Sequence, residues 1–576
     1  MAGIGIALDL GTSGFRGQAL ELAPEAGRGQ VIATAITARH PLPGANVMDH
    51  LHFAIQIGLE LSQRVVVQTL NQIIEQLGVP GQDIARLAVC GNPIQLSLFE
   101  GIEIRDLAYA GKSRQRSLGY EPPKRQAKVL PGRAIPGLAI PAEAEVFIPP
   151  AVRHEVGADA LAMMLKAGML DRDQVALVTD YGTNAEMALK VGGEIFVGDI
   201  VTGSAAAGPA LEGQSIAGGM LAAPGAISDI VREGDAFRLY ILNDDMENTP
   251  GDLVDPATGE VLEEGALKAR GITGTGTIAL LHEGLEAGLI QLPEIRTPDR
   301  KLHLGRKLAF SEHDLAEAGK AIGAVRAGHI TLASEAGIHP DDIQAAYMAG
   351  ASGTYVDALK VHRLGMTPGG VADVYQIGNT SLALAQDIVR EPGRMWELEE
   401  IAQSLRTAHC MFAESDTFKK VYVLELSYWN EGMPWEMYQQ FLQTYGLPQI
   451  ELNHRRPQVI KMVERDIPDF GYRGLQVVSE VGSILGVRFD GCTGCRICVY
   501  ECPEDALRMV KRGPRGDRWF EMHIQSADCL GLGCLRCQTT CPEKVFHWTA
   551  SLAAWTSLGQ AAFPEAGQGR EAGSRE

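Results

Sequence analysis

The sequence predicts an α/β fold made of two similar halves, followed by a small α+β domain. Two segments, starting at residues 4 and 175, each follow the order strand, glycine-rich turn and second strand, which predicts the two halves. Eight of the ten cysteines fall between positions 492 and 541 in groups spaced as metal ligands, which predicts the small domain. A chain of 576 residues is too long for one hydrophobic core, so several domains are expected.

Composition and charge disfavour several classes of function. The chain is 45% apolar and 21% charged, as in ordinary globular proteins. Its net charge of −20 disfavours nonspecific binding to nucleic acid or to an anionic membrane, because both surfaces would repel it. No stretch approaches the roughly eighteen uninterrupted apolar residues of a membrane helix, and Met1–Ile6 carries no basic region typical of a signal peptide. We therefore expect a cytoplasmic protein with no nucleic-acid or membrane partner.

The two similar halves are predicted from a pair of β-hairpins with matching tips. Both carry Asp-x-Gly-Thr-(Ser/Asn), which runs from Asp9 to Ser13 in one and from Asp180 to Asn184 in the other. Backbone N–H groups and hydroxyls in such a turn form a concavity that binds phosphate, and a carboxylate at the strand end can hold hydrated Mg²⁺. One such motif is weak evidence, because Asp-Gly turns are common. Two matching hairpins predict a duplicated fold with a nucleotide clamped between its halves.

The predicted nucleotide site draws on both hairpins and on a third segment. Ala345–Asp357 has the pattern of a buried strand, a small-residue loop and a helix start, where glycines let the backbone approach an anion. Asp9 and Asp180 are the predicted catalytic residues, with Asp180 positioning metal and water. The loops Cys90–Pro93 and Gly271–Gly276 are interpreted as turns or hinge segments. The residues predicted to bind the nucleotide are Gly11, Thr12, Ser13, Gly182, Thr183, Asn184, Gly350, Ser352 and Gly353.

The small domain is predicted from the spacing of its cysteines. The first group, C-x₂-C-x₂-C-x₃-C-P from Cys492 to Pro503, wraps a [4Fe–4S] cluster, and its fourth cysteine crosses to a second cluster. The second group, Cys529 to Pro542, has the same pattern with two extra residues in its first gap. This is the arrangement of a bacterial-type ferredoxin domain with two clusters that carry electrons. By the crossing rule, one cluster is held by Cys492, Cys495, Cys498 and Cys541, and the other by Cys502, Cys529, Cys534 and Cys537.

A pair of structural zinc sites is the alternative for these cysteines. Zinc knuckles use ligands in two pairs, whereas each group here has three close cysteines and a distant fourth followed by proline, so iron–sulfur clusters are favoured. The widened gap in the second group leaves open a three-iron or incomplete centre there. Cys90 and Cys410 stand alone in the sequence and are expected to be buried structural thiols.

Three further segments, Gly203–Gly219, Pro224–Ile227 and Ile377–Thr380, together with the two hairpins resemble the actin, Hsp70 and sugar-kinase ATPase superfamily. Within it the chain is most similar to ATP-dependent reductive activators of corrinoid proteins. Many of those carry a plant-type [2Fe–2S] domain at the N-terminus. The two-cluster ferredoxin at the other end is similar to the corrinoid activation proteins of methylamine methyltransferase systems. The resemblance implies actin-like (ribonuclease H-like) ATPase halves that bind ATP and Mg²⁺.

The resemblance also implies the function. The expected activity is ATP-dependent reductive activation of a corrinoid protein, in which inactive Co(II) returns to Co(I) for methyl transfer with electrons passed through the two clusters. The implied partners are that corrinoid protein and a low-potential electron donor. One alternative is an electron donor of the type that activates 2-hydroxyacyl-CoA dehydratases, but those bind a single cluster at a dimer interface. A kinase with a fused redox sensor is the other alternative.

The domain order is predicted from breaks in the pattern. Pro149–Pro150 ends the first half, the polar segment Asn453–Pro457 precedes the ferredoxin, and the tail is low in apolar content. The predicted boundaries are a first ATPase half at 1–150, a second half at 151–450, a linker at 451–485, the ferredoxin domain at 486–550 and a disordered tail at 551–576.

Overall fold

A computed structural model shows the fold of most of the chain. It describes residues 3–22, 29–44, 46–108, 117, 119–151, 157–182, 185–199, 216–220, 222–244, 246–305, 307–405, 412, 415–452, 455–514, 518–531, 534–548 and 556–557. The expectations for Thr183, Asn184 and Cys410, for most of Gly203–Gly219 and for nearly all of the tail concern residues outside this set.

The described residues form strands and helices in alternation, as an α/β fold requires. The strands are β1 Ile4–Leu10, β2 Phe15–Glu21, β3 Val31–Thr37, β4 Ile84–Gly91, β5 Lys128–Pro131, β6 Glu145–Ile148, β7 Ala176–Asp180, β8 Glu186–Val191, β9 Glu194–Asp199, β10 Ala226–Glu233, β11 Ala236–Leu242, β12 Asn248–Val254, β13 Val261–Glu263, β14 Gly271–Ile272, β15 Ile290–Gln291, β16 Glu294–Ile295, β17 Lys301–His303, β18 Ala309–Ser311, β19 Ala345–Ala349, β20 Asp373–Gly378, β21 Gln458–Lys461, β22 Leu475–Val478, β23 Ile484–Arg488, β24 Leu507–Arg512, β25 Trp519–Gln525 and β26 Thr556–Ser557. The α-helices are α1 Val47–Ile57, α2 Leu59–Gln76, α3 Pro93–Glu100, α4 Arg105–Ala108, α5 Ala158–Lys166, α6 Gly274–Glu286, α7 Glu312–Glu335, α8 Gly350–Tyr355, α9 Ala358–Arg363, α10 Thr380–Arg390, α11 Arg394–Leu405, α12 Asp416–Glu431, α13 Trp435–Thr444, α14 Ile497–Tyr500 and α15 Arg536–Thr539.

The two halves share one sheet topology, which confirms the predicted duplication. In the first sheet, β3, β2 and β1 are antiparallel neighbours, and β4 and β6 follow in parallel beyond β1. In the second, β9, β8 and β7 are antiparallel neighbours, and β19 and β20 follow in parallel beyond β7. Every residue of β1 is buried, because this strand lies at the centre of its sheet and is covered on both faces.

A smaller sheet is inserted into the second half between β9 and β19. It has five strands in the order β13-β12-β11-β10-β14, and α6 packs against its β10 strand. The long helix α7 then returns the chain to the main sheet. It starts at a capping box, in which Ser311 and Asp314 satisfy each other's backbone N–H groups. This insertion and the main sheet share a second hydrophobic core.

The helix that follows the last central strand of the second half packs on the first half. Leu382, Ile388 and Val389 of α10 are buried in the same core as β1 and β4. The backbones approach closely here, since a Cβ on Gly5 of β1 would overlap Cγ1 of Val389. The helix α10, placed in the second half by sequence, therefore packs as part of the first half.

The segment 451–485 differs from the expected linker, because it completes both large sheets. β21 pairs in parallel with β20 at the edge of the second sheet, and β22 pairs in parallel with β3 at the edge of the first. Residues 462–474, which we call the crossing segment, run between them. The side chains of Gln18 and Thr34 donate to the carbonyls of Asp469 and Phe470 in this segment. Short strands of this kind form because an open sheet edge offers partners, and local sequence does not show that edge.

The C-terminal domain is a four-stranded sheet in the order β24-β25-β23-β26, with two short helices in the cysteine loops. Its strand β26, Thr556–Ser557, falls within the predicted tail and pairs with β23. Leu485, Ile524 and Trp548 are buried in one continuous core with the first half. The domain is therefore packed against the ATPase. Among the described helices, none is long and apolar enough to cross a bilayer.

We expect the Gly5→Ala variant to be less stable than the wild type by about 1–3 kcal/mol, because the new methyl group forces Val389 and α10 away from β1. Thermal unfolding followed by circular dichroism measures the loss. Gly193→Ala is the matched control, since a Cβ there meets open space. Equal stability of the two variants would contradict the close packing of α10 on the first half.

Candidate functional site

A cleft lies where the two halves face each other. The turns after β1 and β7 form its two walls, because both strands end at the same edge of the fold. Residues from the ends of β4, β19 and β20 complete it. The lining residues are Asp9, Leu10, Gly11, Thr12, Ser13, Arg16, Gly91, Asn92, Asp159, Asp180, Tyr181, Gly182, Glu186, Gly350, Ala351, Ser352, Asn379, Thr380 and Ser381.

Most of the residues predicted to hold a nucleotide lie together in this cleft. They are Asp9, Gly11, Thr12, Ser13, Asp180, Gly182, Gly350 and Ser352. Thr183 and Asn184 fall outside the described residues. Gly353 does not line the cleft. It lies in α8, where a Cβ would come within 3.1 Å of the Met348 carbonyl carbon, so its small size serves packing against β19.

Asp9 is held in place from both halves. Its Oδ2 accepts a hydrogen bond of 2.8 Å from Nδ2 of Asn379 and one of 3.3 Å from Nη1 of Arg16. Only 4% of the residue is exposed. Burial raises the pKa of the Asp9 carboxyl, and the Arg16 charge and the Asn379 hydrogen bond oppose that rise. The carboxylate is thus fixed in direction and poorly hydrated, which favours contact with a cation.

Asp180 lies opposite Ala349 in the parallel pair of β7 and β19. The next residue, Gly350, has a φ of +79°, and a Cβ there would overlap Oδ1 of Asp180. Only glycine adopts this conformation and leaves this space at low cost. The chain therefore turns from β19 into α8 directly, without the predicted loop, and keeps the Asp180 carboxylate at the cleft surface.

Two asparagines that sequence reasoning did not assign to the site each do two tasks. Oδ1 of Asn92 caps α3 by accepting from Ile94 N and Gln95 N, while its Nδ2 donates to Oγ1 of Thr12 at 3.2 Å. Oδ1 of Asn379 likewise caps α10, while its Nδ2 holds Asp9. In the sequence, Asn92 stands in the Asn-Pro pair at the start of α3 and was interpreted as part of a turn. Asn379 stands in the Asn-Thr pair at the start of α10 and was interpreted as part of a family motif.

Asp159 is a further residue that sequence reasoning missed. It lies in the first turn of α5 and points into the cleft near Asp9. Burial, together with the Asp9 charge, raises the pKa of Asp159 to about 6. The sequence indicated this role only weakly, because a glycine and an acidic residue are common at the start of any helix. A carboxyl with a pKa in this range is suited to exchange protons near neutral pH.

The cleft combines negative charge with groups that bind phosphate. The carboxylates of Asp9, Asp159, Asp180 and Glu186 line it beside the guanidinium of Arg16. This excess of negative charge fits a divalent cation such as Mg²⁺, which takes one or two carboxylates and completes its shell with water and phosphate oxygens. The hydroxyls of Thr12, Ser13 and Ser352 and the backbone around the glycines fit the phosphates. The residues present therefore suit a Mg²⁺–nucleotide complex.

The eight cysteines of the C-terminal domain line two separate cavities. One is lined by Cys502, Cys529, Cys534 and Cys537, and the other by Cys492, Cys495, Cys498 and Cys541. These are the two sets that the crossing rule predicts.

Apolar side chains close each cysteine cavity. Leu507, Leu530 and Trp548 line the first, and Met509, Met522 and Phe546 line the second. Such a shell limits water around a cluster and thereby tunes its reduction potential. Cys90, by contrast, is completely buried beside Asp9 in β4, as expected for a structural thiol.

Comparison with known families assigns most of the chain to three family models in order. Residues 4–172 match the model described as the RACo middle region, and residues 174–439 match that of the C-terminal domain of RACo, the ASKHA domain. Residues 491–545 match the 4Fe-4S dicluster domain. The actin-like ATPase and the ferredoxin domain predicted from sequence are thereby confirmed.

Relatives are found among curated proteins and among solved structures. The chain is 48% identical over 528 residues to the [Co(II) methylated amine-specific corrinoid protein] reductase of Methanosarcina barkeri, covering 92% of this chain and 95% of that protein. It is 25% identical to the corrinoid activation enzyme RamQ of Eubacterium limosum, over 63% of this chain and 60% of RamQ.

A solved structure of a reductive activator for corrinoid, iron–sulfur protein superposes with a TM-score of 0.58 at 23% identity, over 73% of this chain and 65% of that one. This likeness supports the fold. The near full-length match to the Methanosarcina reductase and the domain matches in chain order decide the family. The chain belongs to the family of reductive activators of corrinoid proteins that carry a RACo-type ASKHA domain, here with a C-terminal 4Fe-4S dicluster domain.

Proposed function

We propose that this protein is a cytoplasmic ATP-dependent reductase that returns a corrinoid protein from Co(II) to Co(I) for methyl transfer. The observation that carries the proposal is the joining, in one packed chain, of an acidic cleft lined by both Asp-x-Gly-Thr turns with two cysteine cavities. The 48% identical relative is named for this reduction. The substrate is the corrinoid cobalt of a partner protein, and a low-potential donor supplies the electrons.

The cleft would hold and hydrolyse ATP with residues from both halves. Asp9 and Asp180 would hold Mg²⁺, and the turn residues Thr12, Ser13 and Gly182 would hold the phosphates. Asp159, with its raised pKa, would accept a proton from water at the cleft. Because these groups belong to different halves, binding of one ligand between them favours the closed arrangement of the halves.

The cysteine cavities would hold two [4Fe–4S] clusters, one in each set of four residues. When bound, these clusters supply one-electron transfer. Cys495 is exposed, whereas Cys529 lies beside Gly44 of the first half, whose backbone N–H donates to the Cys529 carbonyl at 3.0 Å. The domain thus presents one cavity towards solvent and holds the other against the ATPase.

ATP makes an uphill electron transfer feasible. For one electron, each tenfold shift in equilibrium equals about 59 mV, or about 1.4 kcal/mol. A gap of ~150 mV would therefore require roughly 3.5 kcal/mol, which a nucleotide-driven change of conformation can supply. The hydrogen bond between Asn379 and Asp9 is the contact through which closure would act on both halves.

We expect protein purified without oxygen to contain about eight iron and eight acid-labile sulfide per chain. Cys495→Ala and Cys537→Ala should each lower both contents to about four, because each variant removes a ligand from a different cavity. Colorimetric iron and sulfide assays measure the contents. Cys90→Ala should keep about eight. Stoichiometric zinc with negligible sulfide would contradict the cluster assignment.

Replacing Asp180 by Ala should lower Mg²⁺-dependent ATP hydrolysis about 100-fold or more, since the metal and water lose the carboxylate that positions them. Phosphate release measures the rate. Iron and sulfide contents should stay at the wild-type level and thereby show that the fold is intact. Asp173→Ala is the matched control, because Asp173 is an exposed carboxylate shortly before the same strand. Wild-type hydrolysis by the Asp180 variant would rule out its assigned role.

The reductase activity is tested directly with a Co(II) corrinoid protein, a strong reductant and Mg²⁺. The visible spectrum should show Co(I) only when ATP is added. The double variant Cys495→Ala/Cys537→Ala should hydrolyse ATP and yet leave cobalt as Co(II), because its electron route is interrupted. Reduction by this variant at the wild-type rate would show that the cysteines carry no electrons. ATP-dependent phosphorylation of a small molecule, without a change in cobalt, would instead identify a kinase.

A further inference from the structure

The loop after β3 joins the nucleotide cleft to one cysteine cavity. This loop, residues 38–44, lies against the second cysteine group and is called the bridging loop below. The Gly44 N–H donates to the carbonyl of Cys529, and Oγ of Ser526 donates to the carbonyl of Pro41 at 2.6 Å. Nη1 of Arg39 also pairs with Glu504, two residues after Cys502, at 3.0 Å. The loop therefore contacts two of the chain segments that line this cavity.

The bridging loop is tied to the nucleotide side by one histidine. Nδ1 of His40 accepts from the Leu42 N–H at 3.1 Å, which assigns the ring proton to Nε2. Nε2 then donates to Oε1 of Gln95 at 3.0 Å. Nε2 of Gln95 in turn donates to Nδ1 of His50, whose ring stacks on His40 at a centroid distance of 3.7 Å. Each side-chain nitrogen and oxygen of His40 and Gln95 thus has an assigned role as hydrogen-bond donor or acceptor.

The same glutamine reaches the phosphate-binding turn through its backbone. The Gln95 N–H donates to Oδ1 of Asn92 at 3.0 Å, and Nδ2 of Asn92 donates to Oγ1 of Thr12 at 3.2 Å. A continuous series of contacts therefore runs from Thr12 through Asn92, Gln95 and His40 to the bridging loop.

Three of the side chains that make these contacts are enclosed, so water has little access to them. Gln95 is completely buried, and His40 and Asn92 are 5% and 8% exposed. Burial lowers the pKa of His40 to about 4, so the ring stays neutral and its hydrogen-bond pattern does not change near neutral pH. Buried and fully paired groups of this kind hold their partners rigidly, and a shift at one end moves the other.

We propose that Gln95 and His40 are positioning residues that transmit the nucleotide state from Thr12 to the cluster held by Cys502, Cys529, Cys534 and Cys537. This inference rests on the proposed function. Nucleotide binding at Thr12 shifts Asn92 and α3, and the bridging loop then changes the backbone packing around Cys529. The cluster held by Cys492, Cys495, Cys498 and Cys541 has the exposed Cys495 and receives electrons without this control.

The test is a redox titration of the full-length protein followed by electron paramagnetic resonance, with and without a non-hydrolysable ATP analogue and Mg²⁺. Cys495→Ser and Cys537→Ser assign the two signals to their cavities. We expect the analogue to shift the reduction equilibrium of the Cys529 cluster by up to about tenfold, the range of one hydrogen bond, which is about 59 mV for one electron. The other cluster should not shift.

Gln95→Met keeps the volume of the side chain and removes both polar atoms, so the shift should fall to less than a third while iron content and analogue binding stay unchanged. Gln63→Met is the matched control and should keep the full shift. Gln63 is also buried and also contacts α3, through the Phe99 carbonyl, but takes no part in the contacts to His40.

A second pair of variants keeps the test valid if Gln95→Met fails to fold. His40→Leu should lose the shift, whereas His40→Gln, whose amide still donates to Gln95, should keep most of it. An unchanged shift in Gln95→Met or His40→Leu would overturn the inference, and so would a wild-type protein that binds the analogue without any shift. In those cases ATP-dependent Co(II) reduction by the wild type would still support the proposed function, and its absence would reject that function separately.

Discussion

The hydrogen bond from Asn379 to Asp9 joins the two halves at the floor of the cleft, and much of the architecture converges on it. Asn379 follows β20 of the second half, and its other amide atom starts α10, which packs on the first half. One side chain therefore sets both the direction of a carboxylate and the start of a helix. A displacement of Asp9 towards a bound cation would therefore act on the start of α10 through Asn379.

The crossing segment, which lies C-terminal to Asn379 in the chain, also contacts this residue. The Asn379 N–H donates to the carbonyl of Asp466, and Tyr355 of α8 donates to the Asp466 side chain at 2.9 Å. Beyond this contact the chain enters β22 and then the ferredoxin domain. The ferredoxin domain is thus held against the ATPase at two places, by the crossing segment that leads into it and by the bridging loop that packs on it. It cannot move as an independent body on a flexible tether.

The sequence predicted the parts of this protein that depend on local pattern. The two Asp-x-Gly-Thr turns identified Asp9, Thr12 and Asp180, and cysteine spacing alone separated the two sets that line the cavities. Asn92 and Asp159 were missed because their roles arise from helix starts that only the folded sheet brings to the cleft. The strands β21 and β22 were missed because a segment of only four residues becomes a strand where a sheet edge is open to it, and local sequence does not show that edge. Gly353 was wrongly assigned to the nucleotide site, because a glycine that makes room for a ligand and a glycine that makes room for a packed strand have the same pattern in sequence.

The edge position of β22 also has a consequence for how the protein is made. Thr37 ends β3, yet the strand that pairs beside it starts only at Leu475. The helix α10, which covers β1, likewise leaves the ribosome only after most of the second half. Domains usually fold in order as the chain emerges, at about 5–20 residues per second. The first half of this protein is an exception, because one face stays uncovered until α10 is made and the sheet edge stays uncovered until β22 is made. During that interval the exposed strand β3 is open to pairing with other chains, and chaperone binding there would protect it.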